Sequence, residues 1–355
     1  MKRIGMFSLA FSLAGCFLGT GFISGQEQWQ YFGVFGTQGF VGALIAMLLI
    51  FLISSVSMIY ASESGEREFD RLLIPQNIPF LRNAIGVITV LFMFTTYVVM
   101  TAGAGNLLEQ TFGLPAYVGR AIVCVLIMVV SFLGISGMFS VLSVFIPILI
   151  AFTFVMFFAM PHPLTLDAIN ANRAEVNNPM LSSFWMSAIN NGAYNVGSSL
   201  GVIAAIGVHA KSKKSVFGGT ALCVSLLLLF SCCLLVIMHA HPEITSEQLP
   251  MVAYAAKVAP WVETLFSLFL FVGMFSASLA ISVSVCFYLQ NKIKKMPSAF
   301  GVYFLPFLLA SVAFLCGGVG FSRLVSIVYP ISGYVSIIFV VLIFINYARF
   351  RRNSK

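Results

Sequence analysis

Stretches of roughly 20 predominantly apolar residues recur from one end of this chain to the other, and each is long enough to cross a bilayer as a helix. Between them the longest polar stretches are Ala61–Arg82 and Pro161–Pro179, too short for a soluble domain. With 60% hydrophobic residues, 8% charged and a mean hydropathy of +1.01, lipid must be the solvent for much of the exterior. A transmembrane barrel would show short alternating segments, and none is present. The expected class is an all-α membrane protein. The first apolar segment follows Lys2 and Arg3 but runs on into Gln26 and Glu27 without a small-residue cleavage site, and is read as a retained helix. The seven cysteines have no CxxC or metal-ligand spacing and are read as small packing residues.

Ten spans fit the pattern, near 7–30, 37–60, 84–110, 117–134, 138–160, 182–209, 216–240, 261–290, 299–316 and 321–347. With both termini cytoplasmic, the inner segments hold 15 of the 19 basic residues, and the outer side keeps Arg120, Arg173, Lys257 and Arg323. Basic residues in short loops favour the cytoplasm, so one rule supports both the count and the orientation. The net charge of +8 is then a topology signal, and nucleic-acid binding is excluded.

Five helices is an odd number, so two five-helix halves in series enter the membrane from opposite sides. Gly134, Gly137, Ser143, Pro147 and Ile148 recur as Gly317, Gly320, Ser326, Pro330 and Ile331, each displaced by 183 positions. Chance similarity among apolar helices is the competing explanation. The expected organisation is a first inverted repeat over 1–160, an outer loop over 161–181 and a second repeat over 182–355 ending in a basic cytoplasmic tail. Pro147 and Pro330 each remove a mid-span hydrogen bond, which requires a neighbour or water to satisfy the freed carbonyl.

Spans one and six carry the polar load. The first reads Ala14-Gly-Cys-Phe-Leu-Gly-Thr-Gly-Phe-Ile-Ser-Gly-Gln-Glu27, and the sixth Asn190-Asn-Gly-Ala-Tyr-Asn-Val-Gly-Ser-Ser199. Polar groups in hydrocarbon are costly without partners, and discontinuous helices at matching positions would use them. Glycine pairs such as Gly15/Gly19 and Gly197/Gly201 also fit simple close packing of helices.

The run Ala14-Gly15-x3-Gly19-x-Gly21 resembles the first-helix break of the LeuT-type amino-acid and sodium symporters of the amino acid–polyamine–organocation superfamily. Gly19 to Glu27 more specifically resembles the YkvI-like bacterial membrane proteins. The resemblance implies the ten-helix LeuT fold with helices 1 and 6 broken, in a bacterial cytoplasmic (inner) membrane. It implies a substrate site from Gly19, Thr20, Gly21, Tyr97, Asn191, Tyr194 and Asn195, and a sodium site from Gly15, Leu18, Ser278 and Ser282. Two departures weaken the sodium sites: Phe22 stands where an asparagine binds one ion, and span eight lacks an adjacent serine/threonine pair.

Glu27 has three open readings: a proton-coupling group, a structural acceptor of NH bonds from the sixth span, or a gate paired with Arg323. Trp29, Trp185 and Trp261 are expected as boundary anchors, and His162, His209, His239 and His241 as interfacial residues at helix ends. Because no acidic residue falls in the mid-membrane part of spans 1, 3, 6 or 8, a cationic amine lacking a carboxylate is disfavoured. The expected function is secondary active transport of a small solute, an amino acid or related zwitterion, coupled to Na+ or H+. A ligand-sensing receptor on the same fold is the alternative. No HExxH, GxSxG or intramembrane aspartate pair supports an enzyme, and no cofactor beyond the coupling ion is expected.

Overall fold

The computed structural model describes residues 4–18, 22–66, 69–74, 78–133, 148, 150–160, 164–176, 178–292 and 304–353. These are helical nearly throughout. In chain order the helices are α1 (Met6–Leu18), α2 (Gln26–Tyr31), α3 (Thr37–Ser64), α4 (Phe69–Leu73), α5 (Pro79–Phe112), α6 (Ala116–Leu133) and α7 (Leu166–Ala171). They continue with α8 (Phe184–Ser198), α9 (Leu200–His209), α10 (Lys213–Ala240), α11 (Pro250–Val258), α12 (Pro260–Lys292), α13 (Leu305–Cys316) and α14 (Phe321–Asn353). Residues 150–158 are also helical.

Among the described residues, α3, α5, α10, α12 and α14 are the helices long and apolar enough to cross a bilayer unaided. They correspond to spans two, three, seven, eight and ten. Spans one and six fall short because each is divided, into α1 with α2 and α8 with α9. The packing pairs exchange across the two halves: α1 lies on α10 while α8 and α9 lie on α3, α5 lies on α12, and α6 lies on α13. A two-fold relation between the halves makes such contacts reciprocal: where the first span of one half meets the second span of the other, the converse contact follows.

The two divisions differ in kind. In span one, α1 stops at Leu18, a single turn covers Phe22–Ser24, and Gly25 takes φ +80° before α2 starts. A Cβ at Gly25 would be strained there and would also meet the Met251 Cγ at 3.0 Å. In span six, Asn190–Ser198 stays helical and only Ser199 interrupts the path. The polar run in span six therefore does not unwind. Asn190 and Asn191 find partners on neighbouring helices, and Asn195 Nδ2 donates within its own helix to Asn191, which relieves part of the cost that unwinding would otherwise relieve. The Cys16 thiol near the end of α1 interacts with the Ser199 hydroxyl, so the end of α1 lies against the interruption of span six.

Pro330 lies within α14 and is unable to donate to the Ser326 carbonyl. That carbonyl accepts instead from Asn178 Nδ2 at 2.9 Å, and the Pro330 carbonyl accepts from Asn190 Nδ2 at 2.9 Å. The expectation that a neighbour repairs the proline break is met here. Pro147, with Gly134, Gly137 and Ser143 of the first repeat, lies outside the described residues.

Residues assigned to inner loops by their charge gather at one end. Ile4 pairs with the backbone of His209 and Lys211, and Glu63 bridges Lys213 at 2.5 Å and Arg351 at 3.9 Å. Arg82 pairs with Asp70 at 3.2 Å. Trp185 and Trp261 are exposed as boundary anchors should be, but Trp29 is buried.

Candidate functional site

Helix α2 is six residues long, Gln26-Glu-Gln-Trp-Gln-Tyr31, and its side chains leave in every direction. Successive residues on a helix are about 100° apart, so adjacent polar side chains must reach different neighbours. Glu27 turns to α8, where Asn191 Nδ2 donates to Glu27 Oε1 at 3.1 Å. Gln28 turns to α10 and accepts from the Ser231 hydroxyl. Gln26 and Gln30 turn to the start of α14, donating to the Ser322 hydroxyl at 2.5 and 3.3 Å. The Tyr31 hydroxyl donates to Asn190 Oδ1 at 3.0 Å, and the Ser187 hydroxyl donates to the Tyr31 carbonyl at 2.5 Å. One short helix thus ties span one to spans six, seven and ten.

The centre is dry and polar. Glu27, Gln28, Asn190, Asn191 and Asn195 have no exposed surface. The Tyr194 and Tyr329 rings stack with centroids 4.4 Å apart and planes at 23°. Tyr31, Tyr194 and Tyr329 all lie within electrostatic range of the Glu27 carboxyl. Asn195 Nδ2 donates to the Asn191 carbonyl at 3.0 Å and to Asn191 Oδ1 at 3.2 Å. Glu27 Oε2 and Asn195 Oδ1 have no hydrogen-bond partner.

Above this cluster is a cavity of about 500 Å³ bordered by Gln30, Glu175, Asn178, Ser322 and Ser326. Of its lining, Gln30 and Ser322 are bonded to each other; Ser322 also accepts from Gln26, and its backbone N–H donates to Gln248 Oε1 at 2.9 Å. Glu27 lies on the same helix as Gln26 and Gln30.

The structure brings Glu27, Asn191, Tyr194 and Asn195 into one cluster. Gly19, Thr20 and Gly21 lie outside the described residues. Tyr97 is buried on α5, with its hydroxyl unpartnered and within electrostatic range of Cys124 and Cys286 rather than of Glu27. Arg323 is exposed, and no ion pair among the described residues joins it to Glu27. The sixth span meets Glu27 through the Asn191 side chain and not through backbone N–H groups. Ser278 and Ser282 are buried one turn apart on α12; the Ser278 hydroxyl has no partner, and the Ser282 hydroxyl lies within reach of the Cys286 thiol. Two neutral oxygens suit a hard monovalent cation. Gly15 and Leu18 sit on α1, whose main neighbour is α10, while α12 lies mainly on α5.

Sequence reasoning passed over Gln26, Gln28, Gln30, Tyr31, Ser187, Asn190, Ser322 and Tyr329. The available signal was the run Gln26-Glu-Gln-Trp-Gln, four polar residues in five at the end of an apolar span. It also misplaced His239, which is fully buried between Trp29 and Phe40, with ring centroids at 5.1 and 6.3 Å. No hydrogen bond within the usual geometry meets either His239 ring nitrogen, the Asn172 backbone lies near the ring, and the His239 carbonyl accepts from Asn172 Nδ2 at 2.8 Å. His239→Phe is therefore expected to raise the unfolding temperature, because an unpaired buried polar group costs about 1–3 kcal/mol and a phenyl ring keeps both aromatic contacts. A lowered unfolding temperature would show that the imidazole is paired in the working protein.

No protein-family model matches the chain. It is 25% identical over 345 residues to the membrane protein YkvI of Bacillus subtilis (strain 168), covering 94% of this chain and 93% of that one. It is 30% identical over 140 residues to YyaD of the same organism, covering 39% of this chain and 40% of that one. Among solved structures, an inward-facing conformation of Mhp1 superposes with TM-score 0.60 at 16% identity, over 88% of this chain and 70% of Mhp1. A substrate-bound outward-open Na+-coupled sialic acid symporter superposes with TM-score 0.61 at 12% identity, over 89% of this chain and 72% of the symporter. Mhp1 is a nucleobase-cation-symport-1 family transporter, and both likenesses extend over nearly nine tenths of this chain. Similar to YkvI over nearly its whole length, the chain is a membrane protein with the LeuT-type fold, its two inverted halves meeting at a buried polar junction around Glu27.

Proposed function

We propose that this protein is a secondary active transporter of a small solute, an amino acid or related zwitterion, driven by Na+ or H+ through alternating access. The observation that carries the reading is the junction itself. The two divided helices pack on each other, and where Glu27 meets Asn191 and Asn195 the buried Glu27 Oε2 and Asn195 Oδ1 have no hydrogen-bond partner, beside the stacked Tyr194 and Tyr329 rings. Unsatisfied buried polar groups cost about 1–3 kcal/mol each, which a purely structural junction would have no reason to keep. Solved structures with this fold include a Na+-coupled symporter, which supports the transport reading.

In this reading the cavity above Ser322 receives solute from one side. The Gln26 and Gln30 contacts to Ser322 close that side, and parting α2 from α14 opens a path to Glu27. Ser278 and Ser282 would supply hydroxyl oxygens to Na+ if that ion drives the cycle, and Glu27 would carry the proton if H+ does. The test is uptake of radiolabelled amino acids by proteoliposomes with an imposed Na+ or pH gradient. Accumulation above equilibrium under one gradient and its loss on dissipating that gradient is the expected result. Saturable binding with no flux under either gradient would overturn the transporter in favour of a sensor.

A further inference from the structure

We propose that Glu27 is an exchange point at which a proton and the ammonium group of the solute compete, so that one is carried inward as the other is carried outward. The proposal rests on the transporter reading and assigns its central site a ligand class: a solute bearing a primary amine.

Glu27 is the one acidic residue among those described that is fully buried. The ion pairs described all involve other residues, at the ends of the bundle. Around Glu27, the titratable groups are Tyr31 on its own helix, Tyr194 from α8 and Tyr329 from α14, none of them cationic. From α10 comes His239, held against Trp29, and α14 places Arg323 in an exposed position at its start. The residues of the first span that precede Glu27 include no charge between Arg3 and Gln26. A lone carboxylate in such surroundings costs several kcal/mol as an anion. It must take a proton or a cationic ligand, and the two are mutually exclusive because both neutralise the same charge.

The polarity of the hydrogen bonds selects the cation. The carboxylate accepts only, so Asn191 must present Nδ2 to it. Asn191 Oδ1 is then the acceptor for Asn195 Nδ2, and Asn195 is left with Oδ1 facing outward from the relay. The side chain of Asn195 also lies within hydrogen-bond reach of the Glu27 carboxyl. The unpartnered donor of the centre, Gln28 Nε2, belongs to a side chain turned toward α10; among Glu27, Asn191 and Asn195 the unpartnered atoms are Glu27 Oε2 and Asn195 Oδ1, both acceptors. A proton satisfies one of them. A primary ammonium, with three N–H donors, satisfies both and can lie on the faces of the neighbouring tyrosines. The proposal departs from the sequence expectation, which disfavoured an amine lacking a carboxylate, because Glu27 is fully buried beside Asn191.

The exchange balances in atoms and charge: a protonated Glu27 carboxyl and a primary ammonium ion give the carboxylate–ammonium pair and one free proton. The carboxyl O–H bond breaks, its proton passes to water on the open side, and nothing is oxidised or reduced.

The experiment measures proton release, with a pH indicator in weakly buffered detergent solution, when n-butylammonium binds the purified protein, and compares n-butyltrimethylammonium. The expected result is one proton released per n-butylammonium bound, with affinity rising about tenfold per pH unit while Glu27 is protonated and then levelling off. The quaternary ammonium, which has no N–H, should bind at least about tenfold more weakly, the loss of about one charge-assisted hydrogen bond. Asn195→Ala should weaken n-butylammonium by a similar factor. Binding without proton release, or equal binding of the quaternary ion, would overturn the exchange. If no amine binds, the ligand assignment fails by itself; the transporter reading then stands or falls separately on amino-acid flux under the Na+ gradient.

Discussion

Glu27→Gln is expected to abolish concentrative uptake by reconstituted protein, at least about 100-fold, while its unfolding temperature stays at or above that of the wild type. Truncating one partner of a buried charge interaction costs about 2–5 kcal/mol, and each 1.4 kcal/mol is tenfold. Stability should survive because glutamine has the shape of glutamate and still offers an oxygen to Asn191 Nδ2, the contact seen at 3.1 Å. It also replaces a buried carboxylate that has no cationic partner with a neutral amide, which is cheaper to desolvate. Uptake in proteoliposomes and thermal unfolding in detergent are measured on the same preparation. Full uptake with Gln at this position would remove Glu27 from the transport cycle and leave it a structural acceptor.

The second large effect belongs to stability. Asn190→Ala should destabilise the fold by about 4 kcal/mol, since it strips partners from two buried groups at about 1–3 kcal/mol each and leaves a cavity. Those groups are the Tyr31 hydroxyl, 3.0 Å from Asn190 Oδ1, and the Pro330 carbonyl, 2.9 Å from Asn190 Nδ2. Asn190 thus joins α2, α8 and the proline break of α14. The same side chain explains Gly333, where an added Cβ would lie 2.2 Å from Asn190 Oδ1. Gly333→Ala should accordingly be costly in the wild type and much less so in Asn190→Ala, a non-additivity that marks direct contact. Additive losses in the double variant, read by denaturant or thermal unfolding, would show that the two residues are not in contact.

These two residues differ in how far they were legible. Glu27 stood out as the only acid of the first span, and Asn191 and Asn195 as polar residues where lipid calls for leucine. Asn190 was equally visible as a polar residue but could not be given a partner. A helix places consecutive residues on different faces, so which of Asn190 and Asn191 meets α2 and which meets α14 depends on the rotation of α8. His239 and Trp29 were misjudged for a related reason. Their positions along the span suggested a membrane boundary, and only the packing of α2 against α10 turned the two rings toward each other.

What the sequence by itself determined follows from one-dimensional quantities. Apolar segment length sets the membrane class, basic residues in short loops set an expected direction, and the Gly-rich break before Glu27 marks span one as divided. Even the need to repair Pro330 is local, because a missing N–H always frees the carbonyl four residues back. The identity of the repairing group is not local. Asn178 comes from 148 positions away, and Asn190 from 140. Tertiary structure alone decided that the asparagines of span six stay helical, that Arg323 stays exposed without pairing to Glu27, and that Tyr329 stacks on Tyr194. The reason is physical: a buried polar side chain is stabilised by whatever donor or acceptor the packed neighbours supply, and those neighbours are set by helix rotation and contact across the whole chain.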